Sequence, residues 1–572
     1  MHLRPQLIAA AIGIALFQCA LPADAVTFNV TRFDDPVPNG CAATDCSLRE
    51  AVIAANTTVV EDTILLGAGI YELTQIASGA DQLSLDLDIT QPLEIIGQGS
   101  ASTTIRNASA DPGVTGNALE ARVMDVRQSE LSLAGLNLRD GNVHGAGPFG
   151  IFLIGVGGCL YAIESDVTLM EVTINNCTSV SNGGIFFVDV NALFENVVID
   201  NNIGGGAVLT SVDLQSNNSV FSNNQNFGIF TAGTTTLSGS NVEVVGNMGT
   251  GLIVTGGATM VQWSSGSRIA QNSTSGFGGG INIGTGAQLT IAPAIKLPAA
   301  ADDLLLIEGN HADYGGGGIY LGFISTSGAN SILNASRMAL RMNSANQDGG
   351  GLYSEGKVSI RDSEFAFNSA GGDGGGAWLG GSATGNLIQR SSFADNHAGD
   401  GGGAVLNKVD GAKLRNVSMY SNDAQKGGGI YAAAGINTYL THVSSYSDTA
   451  NQGKSLYVAD NGIARLRNSA LHNSCYKQDN NTPLPPGQII DSGGNAQRIG
   501  AVQDACAGSA HWNLGMSYGA FGGYFDVVGI SSSSLLRNYT GLPLREAQTD
   551  VRNWNRDAQA DSGAFEFGAA AD

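Results

Sequence analysis

Short stretches of alternating apolar and polar residues recur along most of the chain, and glycine-rich turns separate them. Residues 357–365 (KVSIRDSEF) and 412–420 (AKLRNVSMY) are two examples. Alternation with a period of two predicts strands that bury one face. No amphipathic helical stretch lies between these segments, so we expect an all-β protein rather than an array of helical repeats.

The strands belong to a repeat. Triplets of the form Asn-x-Ala, with Asp-Thr-Ala as the last copy, end in alanines at intervals of 25 to 33 residues: Ala312, Ala345, Ala370, Ala398, Ala424 and Ala450. Each of the first five triplets precedes a run of three or four glycines followed by apolar or aromatic residues, and shorter glycine runs occur upstream. A repeat of this length predicts one coil of a solenoid, with two or three short strands in each coil. The fold prediction is therefore a parallel β-helix.

Stacked coils place equivalent residues directly above one another, at about 4.8 Å per coil. The asparagines of the triplets then predict a ladder in which side-chain amides hydrogen-bond from coil to coil inside a turn. The alternative is a row of solvent-exposed turn asparagines without a ladder. The residues concerned are Asn310, Asn343, Asn368, Asn396 and Asn422.

A β-helix needs caps because its end coils expose unpaired strand edges. Ser47 and Glu50 fit a capping box and predict a short amphipathic helix over the first coil. Near the other end, residues 475–487 (CYKQDNNTPLPPG) interrupt the repeat. We therefore predict an N-terminal cap over residues 26–90, coils over 91–474 and an irregular C-terminal cap over 475–572.

The first 25 residues predict a secretory signal. They contain a basic start, a short apolar stretch and the small-residue pattern Ala23-Asp24-Ala25. No later apolar run reaches the length of a membrane helix, so we expect no integral membrane segment after cleavage. The predicted location is secreted or cell-surface.

Cysteine usage agrees with export. Of seven cysteines, six remain beyond Cys19, an even number, as expected of an exported disulfide-bonded chain. Six cysteines allow 15 connectivities, and the simplest pairs neighbours. Those pairs are Cys41 with Cys46, Cys159 with Cys177, and Cys475 with Cys506.

The charge of the chain bears on its partners. The formal net charge of −23 disfavours a nucleic-acid partner, whose phosphates need a basic surface. An acidic surface serves solubility and can also hold calcium. We expect no other cofactor.

Asp348, Asp373 and Asp400 each lie three residues before the last glycine of their run, so they are expected to stack. Three carboxylates at coil spacing repel one another unless solvent or a cation lies between them. The sequence favours solvated turn aspartates, and a calcium column is the alternative.

Two further columns are candidates for glycan binding. Arg361, Arg390 and Arg415 occupy similar places and predict either a basic stripe for acidic glycans or outward arginines that moderate an acidic surface. Tyr320, Tyr353 and Trp378 also stack by register. They predict either a sugar-binding aromatic stripe or packing along the solenoid.

Several motifs resemble known families. Residues 46–51 read Cys-Ser-Leu-Arg-Glu-Ala, and residues 561–566 match Asp-x-Gly-Ala-Phe-Glu. The chain thus resembles secreted bacterial β-helix proteins with an N-terminal domain of the first motif and a C-terminal domain of the second. Copies of Gly-Gly-Ala-Val (205–208, 402–405) and Phe-x-x-Asn (221–224, 365–368, 393–396) resemble the repeats of chlamydial polymorphic outer-membrane proteins. The resemblance implies a right-handed parallel β-helix exposed to the exterior. It implies no defined activity, although the second family implies adhesion.

The leading functional prediction is a non-catalytic, adhesin-like protein that recognises glycans or cell-surface components, because no convergent catalytic set accompanies the repeat. The alternative is a polysaccharide lyase or glycoside hydrolase acting on acidic glycans, since parallel β-helices host such enzymes. A passive structural spacer is a third possibility.

Overall fold

A computed structural model describes residues 24–75, 86–108, 122–143, 157–179, 182–264, 266–293, 304–322, 331–479 and 484–498. Beyond these it describes 506, 509–511, 514–521, 526–534, 536, 549–552, 556, 561 and 563–566. The predicted signal segment, residues 1–25, lies almost entirely outside these ranges.

The regular secondary structure of the described residues is almost all strand, and most of the strands lie in four rows. In the first row, after the glycine turns, are Leu87–Ile89, Met124–Arg127, Leu160–Ile163, Ile185–Val188, Ala207–Thr210, Ile281–Ile283, Ile319–Leu321, Leu352–Ser354, Ala377–Leu379, Val405–Asn407, Ile430–Ala432, Leu456–Val458 and Cys475–Lys477. In the second row are Thr27–Asn29, Asp62–Leu65, Leu93–Ile96, Asn191–Glu195, Gln288–Ile291, Ile332–Ser336, Lys357–Arg361, Ile463–Arg467 and Gln488–Asp491.

In the third row are Gly69–Leu73, Thr103–Asn107, Val198–Asp200, Arg268–Ala270, Leu305–Glu308, Met338–Arg341, Glu364–Ala366, Ala470–Leu471, Ala496–Arg498 and Ser509–His511. The fourth row contains Asn142–Val143, Thr178–Ser179, Ser273–Thr274, His311–Ala312, Ser344–Ala345, Ser369–Ala370, His397–Ala398, Asp423–Lys426 and Thr449–Gln452. Longer strands continue from one row into the next: Glu130–Arg139, Asp166–Asn175, Asp213–Ser222, Gln225–Val245, Met248–Trp263, Leu387–Ala394, Ala412–Tyr420 and Asn437–Tyr446.

Within each row a strand pairs in parallel with the equivalent strand of the next coil. In the first row, for example, Ile319 is opposite Leu352, which is opposite Ala377. This pairing makes the chain a parallel β-helix-like solenoid, as the repeat predicted. The coils continue past residue 474, because Cys475–Lys477 pairs with Leu456–Val458 and Gln488–Asp491 pairs with Ile463–Arg467.

Alternation along each strand sends one side chain in two to a continuous core. In Lys357–Arg361, for instance, Val358 and Ile360 are buried, whereas Lys357 and Arg361 are exposed. Most of the described turns from the second row to the third contain a residue in the left-handed region, such as Asp362 with φ 51°. One glycine in each of the later runs, at the first or second position, also adopts a left-handed conformation. Gly316 has φ +70°, and a Cβ there would lie 2.4 Å from a backbone oxygen.

The predicted asparagine ladder exists and is longer than the triplets indicated. In each step, the side-chain oxygen of one asparagine accepts from the side-chain amide of the asparagine one coil earlier, at 2.9 Å between Asn368 and Asn396. All nine asparagines are buried: Asn202, Asn224, Asn247, Asn272, Asn310, Asn343, Asn368, Asn396 and Asn422. The ladder begins under Cys177, whose backbone N–H donates to Asn202, and ends at Asp448.

The N-terminal motif forms the predicted helix, Leu48–Ala55. Ser47 and Glu50 form a reciprocal capping box at its start. The guanidinium of Arg49 is buried and holds Asp35 through two hydrogen bonds, at 2.8 and 3.0 Å. Every residue of Cys46–Ala51 is buried, so this motif builds the cap.

Three disulfides link the neighbouring cysteines, Cys41–Cys46, Cys159–Cys177 and Cys475–Cys506. Such bonds are typical of exported proteins. The part of the chain that the structure describes contains no helix with the length and hydrophobicity needed to cross a bilayer.

The described C-terminal residues pack against the side of the solenoid. Strands Met516–Gly519 and Val527–Ile530 form an antiparallel pair, and the Tyr518 ring stacks on Tyr420 with centroids 4.1 Å apart. Ala564 donates its N–H to the hydroxyl of Ser444 at 2.8 Å. These contacts lie on the outer face of the third row, several coils before the last described one.

Candidate functional site

The first row carries an aromatic column on its outer face. Register places Tyr320 opposite Tyr353 and Tyr353 opposite Trp378. Their ring centroids are 5.5 and 4.2 Å apart, and the planes are tilted by 19° and 4°. The three residues therefore form the stack that their spacing predicted. Because each ring covers the face of its neighbour, the middle of the stack presents ring edges rather than faces.

Two aromatic residues that sequence reasoning missed extend this stack. Phe277 lies 4.5 Å from Tyr320 and 5.2 Å from Tyr314, measured between centroids. Both directly precede a glycine run, and that shared position was the available signal. We call Tyr314, Phe277, Tyr320, Tyr353 and Trp378 the aromatic stack. Its end at Tyr314 is open, with Tyr314 46% and Phe277 38% exposed.

Polar groups line the buried end of the aromatic stack. Trp378 is only 7% exposed, and its Nε1 has no hydrogen-bond partner among the described residues. The Lys408 ammonium lies 5.1 Å from the Trp378 ring and 3.4 Å from a carboxylate oxygen of Asp373. Burial raises the pKa of Asp373, and the Lys408 charge opposes that rise.

A carboxylate also contacts the centre of the aromatic stack. The Tyr353 hydroxyl donates to Glu355 at 3.1 Å. Burial, with the nearby Glu355 charge, raises the pKa of Tyr353. The hydroxyl therefore stays protonated and acts as a donor at neutral pH.

The aspartate column contains two of its three predicted members. Asp348 accepts the backbone N–H of Asp373 at 2.8 Å, and Asp373 accepts that of Gly401 at 2.9 Å. Asp400 is one position out of line, because Ala377 pairs with Val405 and the place after Asp373 thus falls to Gly401. A run of identical glycines has no side chain to mark its register, so spacing alone misaligned this coil.

The carboxylates of Asp348 and Asp373 thus accept hydrogen bonds from backbone N–H groups of the following coil. Among the residues with described positions, no group of three or more His, Cys, Asp and Glu side chains is arranged to hold a metal. Calcium binding by this column stays a prediction.

The three arginines do not form one column. Arg361 and Arg415 lie in the same column of the second row, with Gln389 between them. Arg390 is one residue further on, in the left-handed turn with φ 48°. There it makes a two-pronged ion pair with Asp362, at 2.6 and 2.8 Å. We predicted the arginine column from the alternation of apolar and polar residues. That alternation is interrupted at this turn, and nothing in the sequence indicates where the turn begins. Arg390 thus neutralises a carboxylate of its own fold.

A second group of titratable residues, unforeseen from the sequence, lies beside the N-terminal helix. A pocket of about 330 Å³ is lined by Arg49, Ile53, Asn56, Asp86 and Asp88, among others. Burial raises the pKa of Asp86 to about 7, and repulsion from Asp88 adds to the effect. Desolvation by the pocket wall and the Asp125 charge raise the pKa of Asp88 to about 6. Carboxyl groups with such pKa values can donate protons near neutral pH.

Comparisons with known proteins identify no family. No protein-family model matches the sequence, and no curated protein matches it. The structure is similar to PfbA, a surface adhesin of Streptococcus pneumoniae, at 13% identity and a TM-score of 0.32, over 65% of this chain and 87% of that one. It is also similar to a GH87 alpha-1,3-glucanase catalytic domain in complex with tetrasaccharides, at 14% identity and a TM-score of 0.26, over 80% and 68%. A thermostable GH87 alpha-1,3-glucanase catalytic unit from Streptomyces thermodiastaticus strain HF3-3 gives 13% and 0.27, over 83% and 69%.

Proposed function

We propose that this chain is an exported, right-handed parallel β-helix protein that binds glycans or other cell-surface components along its first row, without transforming them. It would be a relative of the secreted bacterial proteins that its terminal motifs resemble. The observation that carries the proposal is the aromatic stack, which has exposed rings at one end and a buried tryptophan beside Lys408 and Asp373 at the other. Aromatic rings with a few fixed polar groups are typical of recognition surfaces.

The electrostatics of this face support a ligand without acidic groups. Asp348, Glu355 and Asp373 lie at the aromatic stack, and Lys408 is already paired with Asp373. A uronate or sulfate group brought to this face would meet like charges, which repel most strongly where water is excluded. The acidic-glycan ligand foreseen for an arginine stripe is therefore the weaker form of the proposal.

Binding of a glycan array by the purified full chain, with and without calcium, tests the proposal. We expect retention on a subset of glycans with no new reducing or unsaturated ends after prolonged incubation. A Trp378→Ala variant should bind more weakly, whereas Tyr439→Ala, a change on the second row, should not. Failure of the wild-type protein to bind any glycan or whole-cell surface would refute the proposal.

A polysaccharide lyase or glycoside hydrolase is the second candidate function. One observation favours it, namely that Asp86 and Asp88 line one pocket and have raised pKa values. A general acid held protonated near pH 7 is a requirement of glycoside cleavage. Chromatographic analysis of array glycans for cleavage products separates the two functions. Products that disappear in Asp86→Asn and Asp88→Asn would establish the enzyme and overturn the non-catalytic proposal.

A further inference from the structure

We infer that the open end of the aromatic stack is a subsite for one uncharged hexopyranose ring, with Tyr314 as the stacking platform and Asp313 as the hydroxyl acceptor. This inference rests on the proposed function and specifies the class of sugar that the site takes. It differs from the predicted aromatic stripe, which placed sugar binding on Tyr320, Tyr353 and Trp378.

Ring geometry selects this end. Within the stack, Tyr353 lies between Tyr320 and Trp378, so both of its faces are covered. Tyr314 stacks on one described ring, that of Phe277, at 5.2 Å with a 25° tilt. It is also the most exposed member of the stack, at 46%. A pyranose presents a face of C–H groups, and these prefer the electron-rich face of an aromatic ring.

The residue before the platform in the chain carries a fixed carboxylate. Asp313 precedes Tyr314 in the chain, and its side chain is 49% exposed. Its Oδ1 accepts from the Asn346 amide at 3.0 Å and lies 3.3 Å from Nε2 of His311. The Ser344 hydroxyl is 2.8 Å from the other ring nitrogen of His311. The carboxylate is therefore held in place through Oδ1.

The second carboxylate oxygen completes the site. Oδ2 of Asp313 makes no hydrogen bond to any residue in the described ranges, so it can accept from sugar hydroxyls. A ring platform beside an oriented acceptor is the arrangement that fixes a sugar by its apolar face and its hydroxyl edge together.

Charge sets the class of sugar. Asp313 precedes Tyr314 in the chain, and the charges of Asp348 and Glu355 act on Tyr353 further along the stack. The whole chain has a net charge of −23. Hydroxyl donors satisfy these carboxylates, whereas a uronate or a sulfate adds repulsion. We therefore expect uncharged hexose oligosaccharides to bind and their uronic-acid counterparts to bind much more weakly.

The test compares affinities of the full chain for immobilised neutral hexose oligosaccharides and oligogalacturonates on one array. Tyr314→Ala should weaken binding to the neutral glycans by about tenfold, the loss expected for one aromatic platform. Tyr314→Phe should retain binding within about twofold, because it keeps the ring. Asp313→Asn should weaken binding several-fold. Tyr439→Ala, which removes a tyrosine of similar exposure (38%) on the second row, is the matched control.

The outcomes separate the two proposals. Neutral glycan binding that is unchanged in Tyr314→Ala, or a preference for oligogalacturonate, would overturn the subsite and leave glycan recognition standing. An array to which the wild-type chain does not bind at all would overturn both. A circular dichroism spectrum for each variant shows that the exposed substitutions leave the coils folded.

Discussion

Asn422 donates both its backbone N–H and its side-chain amide to a single carboxylate oxygen of Asp448, each at 2.9 Å. The other carboxylate oxygen accepts from the Ser445 hydroxyl at 2.6 Å. A ladder of nine buried amides thus ends on a buried acid. Because an amide oxygen could accept the same two bonds, the acid carries a desolvation cost that an asparagine would not.

The first prediction concerns the pH dependence of this terminus. Burial raises the pKa of Asp448 to about 6, so the folded chain binds this proton more tightly than the unfolded chain. Proton binding at Asp448 therefore contributes its full stabilisation of the folded chain below about pH 4. That contribution is lost as the pH rises through about 6. Asp448→Asn should therefore raise the free energy of unfolding at pH 7 relative to wild type, by on the order of 2–3 kcal/mol.

Urea unfolding followed by circular dichroism at pH 4 and pH 7 measures this effect. The advantage of Asp448→Asn should be small at pH 4 and large at pH 7. An equal difference between the two proteins at both pH values would show that Asp448 does not titrate in this range.

The second prediction concerns the interior of the ladder. Asn368→Ala removes the oxygen that accepts the backbone and side-chain N–H groups of Asn343, at 3.1 and 3.0 Å. Buried donors left unpaired cost about 1–3 kcal/mol each. We expect a loss of about 2–4 kcal/mol, measured as a shift in the urea midpoint. Asn451→Ala is the matched control, because Asn451 is exposed and should change stability by less than about 0.5 kcal/mol.

The third prediction concerns the C-terminal motif. Glu566 pairs with Arg556 at 2.9 Å, and both side chains are fully buried. Arg556 also donates to Asn416 on the solenoid at 3.0 Å. Glu566→Gln removes the carboxylate that contacts this buried guanidinium, at a cost of about 3–5 kcal/mol. Limited proteolysis should then release C-terminal fragments while the coils stay resistant.

A compensating variant checks the physical reason. Arg556→Met combined with Glu566→Gln removes both charges of the buried ion pair, so it should recover much of the protease resistance. Equal sensitivity of the single and double variants would argue that the motif holds the C-terminal segment by shape rather than by charge.

The fourth prediction concerns the arginines of the second row and its turn. The Arg390 guanidinium is committed to Asp362, so Arg390→Gln should cost about 1 kcal/mol of stability and leave glycan affinity unchanged. Arg361→Gln, an exposed change on the same side of the solenoid, is the control for charge alone. If Arg390→Gln stays folded but loses glycan binding, Arg390 binds the glycan rather than only pairing with Asp362. The predicted basic stripe for glycans would then be favoured.

The motifs behind the family resemblance prove to be structural. Cys46–Ala51 builds the helical cap, and Asp561, Gly563, Ala564, Phe565 and Glu566 are all buried against the solenoid or each other. Their physical role accounts for a recognisable sequence without specifying a ligand. This is why the resemblance predicted architecture and left activity open.

The sequence by itself determined the solenoid, the neighbouring disulfides and the stacking of Tyr320, Tyr353 and Trp378. The solenoid and the ring stack depend on period and alternation, which are local properties repeated many times, and the disulfides follow the simplest pairing of neighbouring cysteines. The four upstream ladder residues, such as Asn224, lack the alanine two positions on and so escaped the pattern.

Only the tertiary structure decided the register of the glycine runs, the turn that sets Arg390 apart from Arg361 and the partners of each carboxylate. Shifting the alignment of two glycine runs by one residue changes no side-chain contact, because glycines have no side chains. The register is set by the inter-coil hydrogen bonds that place Ala377 opposite Val405. The open ring of Tyr314 and the pocket at Asp86 likewise arise from coils or elements distant in the chain. Their chemistry depends on which groups meet after winding, and no single repeat contains that information.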